Sequence, residues 1–255
     1  MKDLHIGKNE LVNQDYTMSL RELFEKFANE GLWDDGLQLI GSWCFKVFQS
    51  NFGVEFYPER TLDVDLAVKV PYSGKQVSIA DILKKMGFEE QFDYHSNVLV
   101  YRCDDFVVEF LQDRQGNGQQ RKRDDAAKNL GITTQALPYL KILLDNPTVL
   151  EARDIGKVCV PSMPAFVVHK LIVADARRSA AKKHKDYKQV ESVCKTLLKL
   201  PAEISAVGRI AGGIHKSWRG KMLRSFAQMV SHIGQEPKAT AHVLAAAGLI
   251  SSDPN

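Results

Sequence analysis

Residues 60–70 of the 255-residue chain read RTLDVDLAVKV, and this stretch decides both the fold and the candidate site. Apolar and polar residues alternate from Thr61 to Val70, which predicts a β-strand with one apolar and one polar face. Residues two apart on a strand point to the same side, so Asp63 and Asp65 share a face. The apolar face carries Leu62, Val64 and Leu66. The strand therefore presents two carboxylates from one side of a sheet.

Two carboxylates on one face repel each other, and a divalent cation relieves that repulsion. Mg²⁺ prefers such oxygens and completes its shell with phosphates and water. We expect a third acid on a neighbouring strand, and the best candidate is Glu109, an isolated acid within the apolar strand Phe106–Leu111. Burial of that acid is costly unless a cation compensates it. The strand register decides between Glu109 and its neighbours Asp104, Asp105 and Asp113.

A Gly-Ser pair upstream adds a second part of the candidate site. A short apolar strand is predicted at Leu37–Ile40, followed by a turn at Gly41 and Ser42 and a helix over residues 43–52. Backbone amides and a hydroxyl in such a turn can cradle phosphate oxygens, and a helix starting there adds its positive dipole end. Together with the carboxylates, this turn predicts a site for a metal-bound phosphate compound.

The rest of the sequence predicts an α+β fold, a mixed β-sheet domain followed by a helical domain. Strands at 97–102 and 106–111 form a hairpin, and helices are predicted at 17–31 and 77–86. Apolar runs between residues 133 and 160 are interpreted as strands at Leu137–Leu140, Ile142–Leu144, Val149–Ala152 and Lys157–Val160. After Pro161 and Pro164 the apolar spacing becomes helical. We therefore predict one domain over residues 1–162 and a second over residues 163–255.

Composition narrows the class of protein. The 34 Lys and Arg residues outnumber the 31 Asp and Glu residues by 3, and 44% of the chain is hydrophobic. These values are ordinary for a globular protein and exclude a chain disordered throughout. No apolar run approaches the roughly 18 residues of a membrane helix, and the N-terminus does not resemble a signal peptide. We expect a cytoplasmic protein without membrane contact, and the spacing of its four cysteines predicts no zinc or redox site.

The combination of these motifs resembles a known superfamily. Strand, Gly-Ser turn, helix, Asp-x-Asp strand and a third acid on a later strand are similar to the nucleotidyltransferases of DNA polymerase beta type. The form Arg60-Thr61-x-Asp63-x-Asp65, together with the later stretch VPSMPAFVVHKL at residues 160–171 and the pairs Arg177-Arg178 and Lys185-Asp186, resembles the bacterial NTP_transf_8 family. This similarity covers residues 35–200. The sequence is more distantly similar to type IV abortive-infection toxins.

The resemblance implies Mg²⁺-dependent transfer of a nucleoside monophosphate from an NTP to a hydroxyl acceptor. Asp63, Asp65 and Glu109 would be catalytic and would bind two Mg²⁺ or Mn²⁺ ions. The triphosphate would be held by Gly41, Ser42, Arg60 and Lys170. The acceptor is left open among an RNA end, a protein side chain and a small molecule, and a toxin-like protein would have an antitoxin-like partner. The 20 residues between Ser42 and Asp63 exceed the compact superfamily spacing.

Two other hypotheses compete with this one. A non-catalytic module would keep the fold for binding nucleotide or RNA, and a structural α/β protein would show no response to Mg²⁺. Basic residues at 121–123 and 215–224 suit RNA phosphates, with Trp218 as a base-stacking residue, but a solvated surface and a core tryptophan explain them equally.

Overall fold

The structure is a computed structural model that describes residues 20–55, 62–94, 98–114, 128–233 and 236–251. Three parts of the prediction lie outside these residues: Arg60, Thr61 and the basic run 121–123. Within the described part of the chain, no helix is both long enough and apolar enough to cross a bilayer.

A six-stranded mixed sheet forms the first half of the chain. In chain order its strands are β1 (Leu37–Ile40), β2 (Asp63–Val68), β3 (Glu89–Asp93), β4 (Val98–Cys103), β5 (Phe106–Asp113) and β6 (Gln135–Leu137). The strand order is β1-β2-β5-β4-β3, and β6 pairs with the far end of β5. Strand β2 is antiparallel to β1 and parallel to β5, so the predicted Asp-x-Asp strand lies between two partners.

The predicted alternation along β2 is confirmed by burial. Val64, Leu66 and Val68 are fully buried on one face, where the matching residues of β5 include Val108 and Phe110. Helix α1 (residues 20–29), α2 (Cys44–Phe52) and α3 (Ile79–Lys85) contribute apolar side chains to the same core. Burial of this alternating face fixes the register, because a slip by one residue would turn the aspartates inward.

Two predicted strands are wrong. Residues 138–140 of the strand expected at Leu137–Leu140 form a turn, and residues Lys141–Leu144 form a one-turn helix, α4, instead of the strand expected at Ile142–Leu144. A short apolar run that is buried on all sides suits either structure, and here the Asp113 carboxylate accepts the Lys141 N–H at 2.9 Å and favours the helical turn. Strand β3 was not predicted because it is polar and largely exposed, and only Leu137 of the three-residue strand β6 was predicted as strand.

The second half begins with a hairpin of β7 (Pro147–Ala152) and β8 (Gly156–Pro161), both within predicted strand regions. Helices follow: α5 (Met163–Ala176), α6 (Ala180–Leu197), α7 (Pro201–Gly213), α8 (Lys216–Ile233) and α9 (Lys238–Ala246). Helix α5 is buried around most of its circumference and packs against α6, α7 and α8. Its Phe166 ring contacts Phe45 and Phe48 of α2, which joins the helices to the sheet half.

The predicted α+β class, a mixed sheet followed by helices, is confirmed. Buried residues from Leu20 to Leu244 form one continuous cluster. The predicted boundary at residue 162 falls between β8 and α5, and the division into two domains stays a prediction. All four cysteines are free, and Cys44, Cys159 and Cys194 are buried.

Candidate active site

Asp63, Asp65 and Glu109 lie on one face of the sheet. In the parallel pair of β2 and β5, Asp65 is the register partner of Glu109, and Asp63 is the partner of Val107. Paired residues of adjacent strands share a face, and so do residues two apart on one strand. The sheet therefore brings the three predicted acids together on the face opposite the buried apolar residues.

The Gly-Ser turn lies directly beside these acids. Ile40, the last residue of β1, is the register partner of Asp65, and Gly41 and Ser42 follow it as a single 3₁₀ turn that leads into α2. Gly41 has a φ of +72°, a conformation that favours glycine. A Cβ at position 41 would also overlap Asp65 Oδ2. Glycine is required here both for the turn and for the approach of the Asp65 carboxylate.

Asp65 is the most perturbed of the three acids. Burial raises the pKa of its carboxyl to about 7, and repulsion from Glu109 and Asp63 adds to that increase. The charges of Lys170 and Arg177 act in the opposite direction without cancelling it. At neutral pH this carboxyl group is poised between its two protonation states, which is typical of functional sites.

The carboxyl group of Glu109 is perturbed in the same direction. Burial raises its pKa, and Asp63 and Asp93 add repulsion, while Arg102 and Lys182 oppose the increase. A divalent cation bound by these acids would remove the repulsion between them.

The three carboxylates suit a Mg²⁺ ion that binds together with substrate better than a metal ion held by protein ligands alone. Within the described residues, no group of three or more His, Cys, Asp and Glu side chains is arranged to hold a metal ion. Mg²⁺, however, is usually held by one or two carboxylates together with substrate phosphates and water. Asp63, Asp65 and Glu109 provide oxygens of the required kind, and repulsion between these acids favours a bound cation, so the residues fit the ion that the sequence predicts.

Lys170 forms a buried ion network with Asp186 and Arg177. Its Nζ lies 2.7 Å from Asp186 Oδ1, and Arg177 Nε lies 3.0 Å from Asp186 Oδ2. Burial acts to raise the pKa of Asp186, but the two cations outweigh burial and hold the pKa below its ordinary value. Residue spacing alone could not predict this pairing, because several cations precede Asp186 in the chain.

Helix α6 reaches the Gly-Ser turn through Gln189. Gln189 Nε2 lies 3.5 Å from Ser42 Oγ, while the buried Gln189 Oε1 has no hydrogen-bond partner among the described residues. Sequence analysis missed Gln189. One signal was present: Asp186 and Gln189 follow helical spacing and are polar residues on the buried side of α6.

The remaining predicted residues lie elsewhere. Asp104 is in the β4–β5 turn with a φ of +52°, and Asp113, at the end of β5, contacts α4. The strand register therefore places Glu109 nearest to Asp65 among the acids considered. Trp218 packs partly buried against the core with its ring against Tyr139, as a core tryptophan would. Two cavities of about 350 and 340 Å³ are lined by other residues than the three acids.

Comparison with known proteins identifies a family and a similar fold. A family model described as NTP_transf_8, nucleotidyltransferase, matches residues 19–204. Among solved structures, the fold is similar to the crystal structure of an antigenic nucleotidyltransferase-like protein from Paracoccidioides brasiliensis, with a TM-score of 0.50 and 16% sequence identity over 88% of this chain and 91% of that chain. The latter likeness concerns the fold alone. No curated protein matches the chain.

Proposed function

Because the chain belongs to the NTP_transf_8 nucleotidyltransferase family, we propose that it transfers a nucleoside monophosphate from an NTP to a hydroxyl acceptor in a Mg²⁺-dependent reaction. The observation that carries this proposal is the register of Asp65 with Ile40 on one side and Glu109 on the other. It brings the metal-type acids and the phosphate-type turn to the same place on the sheet.

In this proposal Asp63, Asp65 and Glu109 hold Mg²⁺, and the ion supplies charge stabilisation for the phosphates and the attacking oxygen. The backbone amides of Gly41 and the Ser42 hydroxyl hold the triphosphate. Lys170, predicted at the triphosphate as well, adds positive charge from its buried position. Arg60, the fourth predicted phosphate ligand, keeps that role as a prediction outside the described residues.

The transfer itself is a displacement at the α-phosphorus. The acceptor hydroxyl oxygen forms the new bond to that phosphorus, the bond to the β-phosphate oxygen breaks, and pyrophosphate leaves. Glu109 takes up the hydroxyl proton in this scheme.

The acceptor, a toxin-like role and an antitoxin-like partner remain predictions of the resemblance alone. An RNA end, a protein side chain and a small-molecule alcohol each offer the required hydroxyl. Lys182, an exposed cation of α6 whose charge acts on Glu109, suits a polyanionic acceptor, which makes RNA the first acceptor to test.

The first test is thermal stability with each of the four NTPs, with and without Mg²⁺. A ligand at about 100 times its dissociation constant should add roughly 2.7 kcal/mol of stability. We expect a Mg²⁺-dependent increase in Tm for the natural protein, no increase for Asp63→Ala/Asp65→Ala, and the natural response for Glu22→Gln, which removes an exposed carboxylate of α1.

The second test uses the NTP that gives the largest shift, labelled at the α-phosphate. We expect label transfer to one acceptor class and release of pyrophosphate, both absent in the double variant. Mg²⁺-dependent binding without transfer to any acceptor would favour the non-catalytic module. No response to any NTP or to Mg²⁺ would contradict the proposal and leave the structural hypothesis.

A further inference from the structure

The Lys170–Asp186–Arg177 network divides its two cations unequally. The side chains of Lys170 and Asp186 are 11% and 3% exposed, whereas that of Arg177 is 37% exposed. The Lys170 ammonium is enclosed between Asp186 and the Phe166 ring, whose centroid is 5.4 Å away. The Lys170 side chain is therefore buried, whereas the Arg177 side chain contacts both Asp186 and the solvent.

The contact of Arg177 with Asp186 leaves most of its hydrogen-bonding capacity available. Asp186 takes the Nε–H of the guanidinium. A guanidinium carries five N–H donors in a planar fork, so the contact with Asp186 does not use the four donors on the two Nη atoms. Because its Nε edge is fixed, the fork has a defined orientation before any ligand binds.

Arg177 is connected to the candidate site through α6. It lies at the junction of α5 and α6, where its backbone N–H bonds to the Ala174 carbonyl at 3.2 Å. Its partner Asp186 lies three residues before Gln189, so the two side chains share one face of α6. Gln189 Nε2 lies 3.5 Å from Ser42 Oγ. The contact of Arg177 with Asp186 therefore lies one helical turn from the contact that α6 makes with the Gly-Ser turn.

We propose that Arg177 is the side chain of this junction that contacts the phosphates of the bound NTP, and that Asp186 is the positioning residue that fixes the guanidinium. This inference rests on the proposed function. The fork of an arginine matches two phosphate oxygens at once. Two cations and one anion leave the network a net charge of +1, which favours a phosphate group. Lys170 binds the same carboxylate as Arg177 and contributes positive charge without contacting the phosphates directly.

The test measures binding of NTP, NDP and NMP with Mg²⁺ to the natural protein and three variants. Arg177→Gln removes the charge and the fork, Arg177→Lys keeps the charge alone, and Arg178→Gln is the matched control at the adjacent exposed arginine. We expect Arg177→Gln to weaken NTP binding on the order of 10- to 100-fold, as for loss of charge-assisted hydrogen bonds. The NTP affinity of Arg177→Lys should lie between those of Arg177→Gln and the natural protein, and Arg178→Gln should bind NTP as the natural protein does.

Dependence on the phosphate chain separates contact from a structural effect. The loss in Arg177→Gln should be large for NTP and less than about 3-fold for NMP, because the contact is made to the terminal phosphates. Equal losses for NTP and NMP, or equal affinities of Arg177→Gln and Arg178→Gln, would overturn the inference while leaving the proposed function intact. Absence of NTP binding by the natural protein would instead overturn the proposed function.

Discussion

Asp65 and Asp186 are both enclosed aspartates, yet their surroundings act on them in opposite directions. Asp186 accepts hydrogen bonds from Lys170 and Arg177, and these cations hold its pKa below the ordinary value despite burial. Asp65 faces Glu109 across the strand pair, and burial with that repulsion raises its pKa to about 7. Burial acts to raise the pKa of both carboxyl groups, so the neighbouring charges decide which of the two is held in its charged form.

Glu191 on α6 provides a third case. Its carboxylate is 6% exposed and accepts the Ala239 N–H, the Thr240 N–H and the Thr240 hydroxyl at 3.0, 3.0 and 2.6 Å. These groups form the start of α9, where unpaired amides and the helix dipole favour an anion. Two buried acids of the helical half are thus satisfied by protein groups. Asp65 and Glu109 differ from these two acids, because repulsion from other carboxylates adds to the effect of burial on their pKa values, and an added cation would stabilise their charges.

Removing the satisfied acid should give the largest loss of stability. Asp186→Asn leaves the enclosed Lys170 ammonium without its anion, and breaking one side of a buried ion pair costs about 3–5 kcal/mol. We expect that loss in the free energy of unfolding by urea denaturation. The control is Asp175→Asn, which breaks the pair with the largely exposed Arg224 and should cost about 1 kcal/mol or less. Similar losses in the two variants would contradict the contrast.

Removing Asp65 should change the free energy of unfolding in the opposite direction. The native state keeps the Asp65 proton up to about pH 7, whereas the unfolded chain releases it near pH 4. Between these values the native state binds more protons, so the stability of the natural protein falls as pH rises across that window. In Asp65→Asn this part of the pH dependence is absent.

We therefore expect Asp65→Asn to be more stable than the natural protein by on the order of 1–2 kcal/mol at pH 8 in the presence of EDTA, a discounted share of the full linkage. At pH 4 the two proteins should be nearly equal. Urea denaturation at both pH values measures the difference, with Glu22→Gln as the exposed control. A destabilised Asp65→Asn at pH 8 would show that the Asp65 charge is already satisfied by protein groups.

The sequence was most informative where pattern and chemistry coincide. Alternation in β2 predicted that Asp63 and Asp65 share a face, and the hairpin of β4 and β5 followed from the same rule. The choice of Glu109 as the third acid depended on a register that the sequence left open. The catalytic and metal-binding roles of these acids stay predictions. Periodicity could not separate strand from helix at Lys141–Leu144, because that choice depends on a contact with Asp113.

The helical half was predicted as elements but not as contacts. Spacing along α6 shows which residues share a face, but it cannot show that Asp186 selects Lys170 and Arg177 among the nearby cations. It also cannot show that Gln189 meets Ser42, which is 147 residues away in the chain. Such pairings depend on how α5 and α6 pack against the sheet, which local propensity does not determine.

The smallest expected effect concerns the hydrogen bond between Gln189 and Ser42. When Gln189 Nε2 donates to Ser42 Oγ, the serine keeps its own O–H for a phosphate oxygen, since a hydroxyl has one donor and two acceptor positions. Gln189→Glu has nearly the same shape but only accepts when ionised, so it would take that O–H and add a negative charge beside the phosphates. We expect NTP binding to weaken by about 3- to 10-fold, as for one hydrogen bond, and by much less in a Ser42→Ala background. Titration calorimetry on the four proteins measures this coupling, and equal effects of Gln189→Glu with and without the Ser42 hydroxyl would show that Gln189 acts on the site independently of the turn.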